Sequence, residues 1–244
     1  MATPRFYCPQ GLAPHQTLDL PEALSHHALR VLRMKDGAAL VLFDGQGGEY
    51  PARLAVQGKR AQATLGDFDP REAELAGSLT LVQGLPSADK MDWVIEKAVE
   101  MGVARVVPIA AERSVVQLTG ERREKRLAHW RRIAESAAEQ CGRNRIMQID
   151  APTSLAQWLE TPAQGMRLMC HPSASHTLRT ALAERPSHIS LVVGPEGGWS
   201  DAEMARVASS KEQLTTVRWG ERVLRTETAG IALAAAASAL LDWT

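Results

Sequence analysis

The chain has 244 residues with 28 basic and 28 acidic side chains, so no net charge would draw a polyanion to the whole molecule. Its hydrophobic content of 45% is enough for a buried core, and its length suits one large domain or two smaller ones. Three cysteines lie far apart with no CxxC pair, which excludes a disulfide framework and fits a reducing cytosol. The first residues lack the apolar core of a signal peptide, and no apolar run could span a bilayer. We therefore expect a cytoplasmic protein without a membrane partner.

Residues 1–70 alternate short apolar runs with turn signals. Three segments have the alternation of a β-strand: 38–43, 52–56 and 61–65. The glycine-rich stretch 44–48 predicts a hairpin turn after the first of them, and a short helix is expected over 23–32. This pattern predicts a small β-barrel crossed by one helix, followed by a linker at 66–70.

From residue 79 onward, strands and helices alternate, which is typical of a parallel α/β sheet. Strands are predicted at 79–83, 106–109, 166–170 and 189–193. Helices are predicted at 89–101, 121–141 and 226–241. The predicted organisation is therefore a β-rich first domain and a larger α/β second domain.

Helix signals are clearest at two places in the second domain. Four residues of the helix over 89–101 have near-helical spacing and are expected on its buried face: Trp93, Val94, Ala98 and Met101. Gly102 then fits a helix C-cap. Ser200 and Glu203 have the spacing of a capping box, which predicts that another helix begins there.

Two glycine-containing segments predict a ligand pocket. Gly-Pro-Glu-Gly-Gly at 194–198 follows a buried strand, and 220–229 leads into the last helix. Glycine lets backbone N–H groups approach a ligand closely, because no Cβ stands in the way. The first segment matches neither a P-loop nor the G-x-G-x-x-G spacing, which disfavours ATP and NAD. A structural turn is the alternative, but the second segment crowds four polar side chains where one N-cap would suffice: Arg222, Arg225, Glu227 and Thr228.

These two segments, read as G-P-E-G-G and G-x-R-V-L-R-T-E-T-A, resemble the RsmE family of 16S rRNA uracil-N3 methyltransferases. Further segments resemble the same family: 91–103, 112–114 and 138–143 in the second domain, and 4–7 and 27–33 in the first. The resemblance covers nearly the full chain. Trp199, Trp219 and the absence of a lysine from 86–89 depart from the family pattern.

The fold implied by the resemblance has two parts. Residues 1–70 would form a PUA-like RNA-binding β-barrel. Residues 71–244 would form a SPOUT α/β methyltransferase domain with a deep trefoil knot around a parallel sheet. Periodicity alone could not predict a knot, because knots are exceptions to the usual rules of chain topology.

The family resemblance implies S-adenosylmethionine as the cofactor, bent within the knot and held mainly by backbone. Segment 170–172 would form a third wall of its pocket. The residues that the resemblance assigns to the cofactor are His171, Gly194, Pro195, Glu196, Gly198, Trp219, Gly220, Val223, Leu224, Arg225 and Thr228.

The implied reaction is methylation of uridine N3 in 16S rRNA within the 30S subunit, at uridine 1498 by family resemblance. Arg225 is the candidate for holding uracil oxygens and stabilising the developing anion. Glu196 is the candidate base or cofactor-orienting residue, with bonding of N–H groups in its own loop as an equal alternative. Candidate RNA contacts are Arg5, Arg30, Arg33 and Arg143.

We also expect a second copy of the chain as a partner and no metal ion, and three rival functions stay open. The resemblance implies a homodimer that uses the alanine-rich last helix, whereas the scattered histidines give no metal-ligand spacing. One rival is an RNA-binding module with a degenerate pocket, and another is an ATP-dependent or acyl-transfer enzyme that binds an anion at the glycine loop. A third is a methyltransferase acting on another rRNA or tRNA nucleotide.

Overall fold

The computed structural model describes residues 3–87, 89–116, 118–210 and 214–244. The chain divides into two compact units. The first unit comprises residues 1–74 and 138–146, and the second comprises 75–137 and 147–244. This division falls a few residues after the predicted boundary at 70. It also assigns to the first unit a segment, 138–146, that the sequence pattern placed in the second domain.

The first unit is built on one five-stranded sheet with the order β1-β3-β4-β5-β2. Its strands are β1 (Arg5–Tyr7), β2 (Thr17–Asp19), β3 (Ala39–Phe43), β4 (Tyr50–Gln57) and β5 (Arg60–Leu65). The three predicted strands correspond to β3, β4 and β5, and the predicted turn joins β3 to β4 as an antiparallel hairpin. In the described part of the chain β1 pairs only with β3 and β2 only with β5, so these two strands form the ends of the sheet.

The predicted helix over 23–32 is present in two pieces. Helix α1 (Glu22–His26) continues directly into a π-helical turn, His27–Val31. Leu24 and Ala28 are buried and join the core of the unit, together with Phe6, Leu42 and Leu54 from the sheet. The helix therefore packs its apolar face on the sheet, as the alternating pattern predicted.

The segment 66–70 is not a free linker, and in this respect the prediction was wrong. Asp69 and Glu49 exchange two backbone hydrogen bonds, each 2.8 Å long. The carboxylate of Asp69 also accepts a hydrogen bond from the backbone N–H of Arg71 at 3.0 Å. Polar composition suggested a linker, but the backbone groups of this segment are paired within the first unit.

The second unit is built on a seven-stranded sheet in which every pair of strands is parallel. The strands are β6 (Ser78–Gly84), β7 (Arg105–Ile109), β8 (Gln148–Ile149), β9 (Met166–Cys170), β10 (His176–Thr177), β11 (His188–Val193) and β12 (Leu214–Arg218). Their order is β10-β12-β9-β11-β6-β7-β8. The predicted parallel α/β sheet is confirmed, although β8, β10 and β12 were not predicted.

Six helices pack around this sheet in the described part of the second unit. They are α2 (Lys90–Glu100), α3 (Gly120–Cys141), α4 (Leu155–Leu159), α5 (Leu178–Ala181), α6 (Asp201–Ser209) and α7 (Thr226–Leu240). Within the ranges that the structure describes, none of the helices has the length and apolar character needed to cross a membrane.

Helix α2 shows where the helical pattern was misread. Its buried residues are Met91, Val94, Ile95, Ala98 and Val99. Trp93 is 43% exposed, so its assignment to the buried face was wrong. A turn of 3.6 residues that buries positions 91, 94, 95 and 98 directs position 93 away from the core.

The predicted helix caps are confirmed. Gly102 adopts a φ of +75°, and its N–H donates to the carbonyl of Val99 at 3.0 Å. At the start of α6, Ser200 Oγ accepts from the N–H of Glu203 at 3.0 Å, and Glu203 Oε2 accepts from the N–H of Ser200 at 2.8 Å. This reciprocal pair is a capping box, and it places the start of α6 just after the glycine loop at 194–198.

Candidate active site

A pocket lies where three neighbouring strands of the second unit end. The carboxyl ends of β9, β11 and β12 each run into a lining segment: 170–173, 193–199 and 219–227. The cavity has a volume of about 640 Å³. Ligands of open α/β sheets bind outside the carboxyl ends of the strands, and cavities of this size hold molecules as large as a nucleoside derivative.

The structure brings together almost all of the residues that the sequence assigned to the cofactor. Those that line the pocket are His171, Gly194, Pro195, Glu196, Gly198, Trp219, Gly220, Val223, Leu224 and Arg225. Thr228 does not line it. It lies exposed on the first turn of α7, where its N–H donates to the carbonyl of Arg225 at 3.0 Å.

The glycine loop is tightly packed at two of its positions. A Cβ on Gly194 would lie 3.1 Å from Nε1 of Trp199, and one on Gly197 would lie 2.9 Å from the carbonyl oxygen of Arg113. Gly198 adopts a φ of +67°, which residues other than glycine rarely accept. The loop therefore needs glycine for its own close packing as well as for access to a ligand.

A buried hydrogen-bond chain joins the two glycine-containing segments. Gln83 Nε2 at the end of β6 donates to Thr226 Oγ1 at 2.9 Å, and Thr226 Oγ1 donates to the carbonyl oxygen of Gly194. Gln83 is fully buried, and Thr226 is 7% exposed. These bonds fix the start of α7 against the glycine loop, so the two walls of the pocket are held in one arrangement.

Glu196 is held in its ionised form at the rim of the pocket. Its carboxylate accepts hydrogen bonds from the backbone N–H of Ser87, from Ser87 Oγ at 2.7 Å and from Lys90 Nζ at 2.9 Å. Burial opposes the ionisation, but the hydrogen bonds from Ser87 and Lys90 outweigh it and lower the pKa to about 2. A carboxylate with so low a pKa is a weak proton acceptor near neutral pH.

Lys90 was not among the predicted site residues. It is the first residue of α2, directly after the segment noted for its missing lysine. Besides its bond to Glu196, its ammonium group lies 3.6 Å from Glu227 Oε2. The sequence could have suggested Lys90 as a site residue, because a lysine one residue beyond 86–89 can reach the glycine loop that a lysine within 86–89 would reach.

Arg225 lies at the start of α7 with its side chain exposed at the pocket. Its backbone carbonyl accepts the hydrogen bond of the Ala229 N–H at 2.9 Å, so the backbone is fixed by the helix. Within the described ranges, neither Arg225 nor the neighbouring Arg222 forms an ion pair. The guanidinium of Arg225 is therefore free to bind a substrate group in the pocket.

The arginines predicted to contact RNA in the first unit fall into two groups. Arg143 is buried and forms two hydrogen bonds to Glu74, at 3.0 and 2.6 Å, and the partly buried Arg5 forms an ion pair with Glu49. Arg30 and Arg33 are exposed, and neither has an ion pair among the described residues. Arg5 and Arg143 are thus engaged by acidic partners within this unit, whereas Arg30 and Arg33 are available to a partner.

The described residues contain no group of three or more histidine, cysteine, aspartate or glutamate side chains arranged to hold a metal ion. His171 Nδ1 is hydrogen bonded to the hydroxyl of Ser173 at 2.8 Å, within its own turn. Cys170 also lines the pocket, and burial raises the pKa of its thiol. Both residues are suited to forming a wall of the pocket.

Comparison with known protein families agrees with this arrangement. Residues 73–238 match the model of an RNA methyltransferase domain, and residues 20–66 match the model of an RNA methyltransferase PUA domain. The N-terminal unit is therefore PUA-like, and the parallel sheet of the second unit belongs to a methyltransferase domain. The predicted resemblance of both halves of the chain is confirmed.

Three known proteins show how far the similarity extends. Ribosomal RNA small subunit methyltransferase E of Bacillus subtilis is 31% identical over 84% of this chain and 82% of its own length. The enzyme of the same name from Neisseria gonorrhoeae, solved with bound S-adenosyl methionine, is 36% identical over 100% of both chains with a TM-score of 0.91. A Legionella pneumophila methyltransferase solved with bound SAM is 32% identical over 98% of both chains, with a TM-score of 0.92. The chain thus belongs to the ribosomal RNA small subunit methyltransferase E family, RsmE.

Proposed function

We propose that this protein transfers a methyl group from S-adenosylmethionine to N3 of a uridine in 16S rRNA of the small ribosomal subunit. Family resemblance points to uridine 1498. The observation that carries the proposal is the pocket at the ends of β9, β11 and β12, which gathers ten of the eleven residues assigned to the cofactor. Support also comes from the two similar structures that hold S-adenosylmethionine.

The pocket fits this cofactor in size and in chemistry. Its volume of about 640 Å³ lies within the range of sites for molecules of this class. The absence of side chains at Gly194, Gly197 and Gly198, which line the pocket, allows a ligand to approach the backbone there. Among the described residues, Trp199 Nε1 is a buried atom of the lining without a hydrogen-bond partner, and such an atom is suited to donating to a polar ligand.

When bound, S-adenosylmethionine supplies a methyl group activated by its sulfonium. Backbone at Gly194, Gly198, Gly220 and Leu224 would hold it, with Val223 and Leu224 against the adenine. Arg225 would bind a uracil oxygen and stabilise the negative charge that develops as N3 loses its proton to water. Fixing both reactants in one pocket removes an entropic barrier, which in favourable systems is worth about 7–11 kcal/mol.

Glu196 has an orienting role in this proposal. With a pKa of about 2, its carboxylate keeps its negative charge and its hydrogen bonds at neutral pH. These bonds tie the glycine loop to Ser87 and to the first residue of α2. Glu196 would therefore maintain the shape of the cofactor site, and the orienting alternative is favoured over the role of general base.

The family resemblance also implies a knot, a homodimer, a division of roles between two domains and a cytoplasmic location, and we include these in the proposal. The chain around 194–198 and 220–229 would be threaded as a deep trefoil knot. Two copies would associate through the outer face of α7, where Ala235 and Ala239 are exposed. Residues 1–70 would bind RNA, residues 71–244 would carry out the transfer, and the protein would act in the cytoplasm.

The test is transfer of a labelled methyl group to 30S subunits that lack this modification, followed by mapping of the modified base. We expect one labelled N3-methyluridine in 16S rRNA. Label on another nucleotide, or on tRNA, would overturn the assignment of the target. Calorimetry with S-adenosylmethionine and with ATP supplies the control: binding of ATP alone would favour the rival ATP-dependent enzyme, and binding of neither would favour an RNA-binding module.

A further inference from the structure

The rim of the pocket has an excess of positive charge in a protein whose net charge is zero. Four cationic side chains line the pocket, Lys90, Arg113, Arg222 and Arg225, against two anionic ones, Glu196 and Glu227. Both carboxylates lie near the same ammonium group, since Lys90 Nζ is 2.9 Å from Glu196 Oε1 and 3.6 Å from Glu227 Oε2. The two acidic groups of the lining are therefore paired with Lys90, and among the described residues neither of them is paired with an arginine of the lining.

Arg113 is placed at this rim by contacts of its backbone. Its carbonyl oxygen lies against Gly197, so close that a Cβ there would be only 2.9 Å away. The preceding residue, Glu112, donates its backbone N–H to the buried Glu203 at 3.1 Å. The backbone of 112–113 is thus held against the glycine loop and against α6, while half of the Arg113 side chain remains exposed.

The ion pair that Arg113 forms with Asp201 is weak. Asp201 is fully exposed, and the two charged groups are 3.7 Å apart. Exposed pairs of this kind contribute little to stability, because water screens both charges. A phosphate group could displace Asp201 at little cost in free energy.

Arg222 comes from another segment of the pocket lining. It belongs to the segment between β12 and α7, it is exposed, and it has no ion pair among the described residues. Arg113 and Arg222 therefore reach the mouth of the pocket from two separate loops. The family resemblance assigns no role to either side chain.

We propose that Arg113 and Arg222 bind the RNA phosphates on either side of the target nucleotide and hold that nucleotide at the pocket. The inference rests on the proposed function, because it assumes that the pocket acts on RNA. Arginine suits phosphate, since its guanidinium can donate two parallel hydrogen bonds. Phosphate contacts fix the register of the RNA without reading its sequence.

The experiment uses the full chain carrying Arg113→Gln, Arg222→Gln or both, and it measures two affinities. One is for a labelled single-stranded uridine oligonucleotide over a range of salt concentrations, and the other is for S-adenosylmethionine. Each phosphate interaction that a substitution removes should reduce the slope of log Kd against log salt by about 0.7. Glutamine keeps most of the side chain, so the fold should be preserved. Arg206→Gln is the matched control, because Arg206 is an exposed arginine of α6 outside the pocket.

We expect the two single variants and the double variant to bind RNA more weakly and with less dependence on salt. Their affinity for S-adenosylmethionine should be unchanged, and Arg206→Gln should have no effect. An unchanged salt slope in the double variant would overturn the inference, and so would weakened binding of S-adenosylmethionine. A reduction in slope equal to that of Arg206→Gln would also overturn it. The unsubstituted protein separates the two proposals: if it transfers no methyl group to 30S subunits, the proposed function fails, whatever the arginines bind.

Discussion

Two pairs of arginines, one from each unit, differ in what surrounds them. In the first unit, Arg143 is buried and bonded to Glu74, and the partly buried Arg5 is bonded to Glu49. At the pocket of the second unit, Arg222 and Arg225 are exposed with no ion pair among the described residues. The side chains are chemically identical, so burial and pairing decide which of them stabilise the fold and which can bind a ligand. Charge in the sequence does not separate the two groups.

The largest effect should come from the pocket. Arg225→Ala is expected to lower turnover about 100- to 1,000-fold, because a donor aimed at a developing negative charge acts mainly in the transition state. The measurement is single-turnover methyl transfer to 30S subunits at saturating S-adenosylmethionine. A variant that binds the cofactor normally and keeps full turnover would remove Arg225 from the mechanism.

In the first unit, the corresponding change should act on stability. Arg143→Ala leaves Glu74 without its partner and is expected to cost about 3 kcal/mol of unfolding free energy, as for other broken buried pairs. Hydrogen exchange of the β4 and β5 amides reports the stability of this unit. The matched variant is Arg30→Ala, an exposed arginine, for which a change within about 0.5 kcal/mol is expected. Equal effects of the two substitutions would contradict the distinction drawn between buried and exposed arginines.

Removing the ionised carboxylate of Glu196 at the rim of the pocket should have a smaller effect on the free energy of unfolding. The folded pKa of Glu196 is about 2, against a reference value of 4.5, so its charge stabilises the folded state above about pH 4.5. This contribution is lost as the pH falls from about 4.5 toward 2. After allowance for solvent exposure, Glu196→Gln should cost about 1 kcal/mol at neutral pH. Urea unfolding at several pH values measures the unfolding free energies of Glu196→Gln and of the unsubstituted protein. If the difference between them did not shrink below about pH 4.5, it would not come from the ion pair of Glu196.

The smallest effect should come from the exposed pair at the start of α6. Asp201→Asn removes the partner of Arg113 and is expected to change stability by less than about 0.5 kcal/mol. Hydrogen exchange of the α6 amides is the measurement. A destabilisation comparable with that of Arg143→Ala would mean that Arg113 has a structural role and would weaken its assignment to RNA.

Much of the second unit could be predicted from the sequence, because its signals are local. The apolar run 189–193 became β11, Ser200 and Glu203 formed their capping box, and the alanine-rich helix begins at Thr226. β12 was missed because Leu214–Arg218 contains two threonines and few apolar residues. Only its position between β10 and β9 makes this segment a strand, and that position is a property of the tertiary fold.

The site was predictable where glycine and backbone define it, and less so where side chains meet across the chain. The segments 194–198 and 220–229 were identified from their composition. Lys90 was missed, since its partners Glu196 and Glu227 lie more than a hundred residues away in sequence. The burial of Arg143 could not be foreseen either, because it depends on residues 138–146 packing within the first unit.

The bond between Gln83 and Thr226 has a consequence for the timing of synthesis. The two residues are 143 positions apart, and the carbonyl of Gly194 is joined to the same hydroxyl. A chain still being translated lacks one wall of the pocket until residue 226 has left the ribosome, even if the sheet has already formed. Competence to bind the ligand therefore arises only after residue 226 has been added, and a product that terminates before it would hold a sheet without a working site.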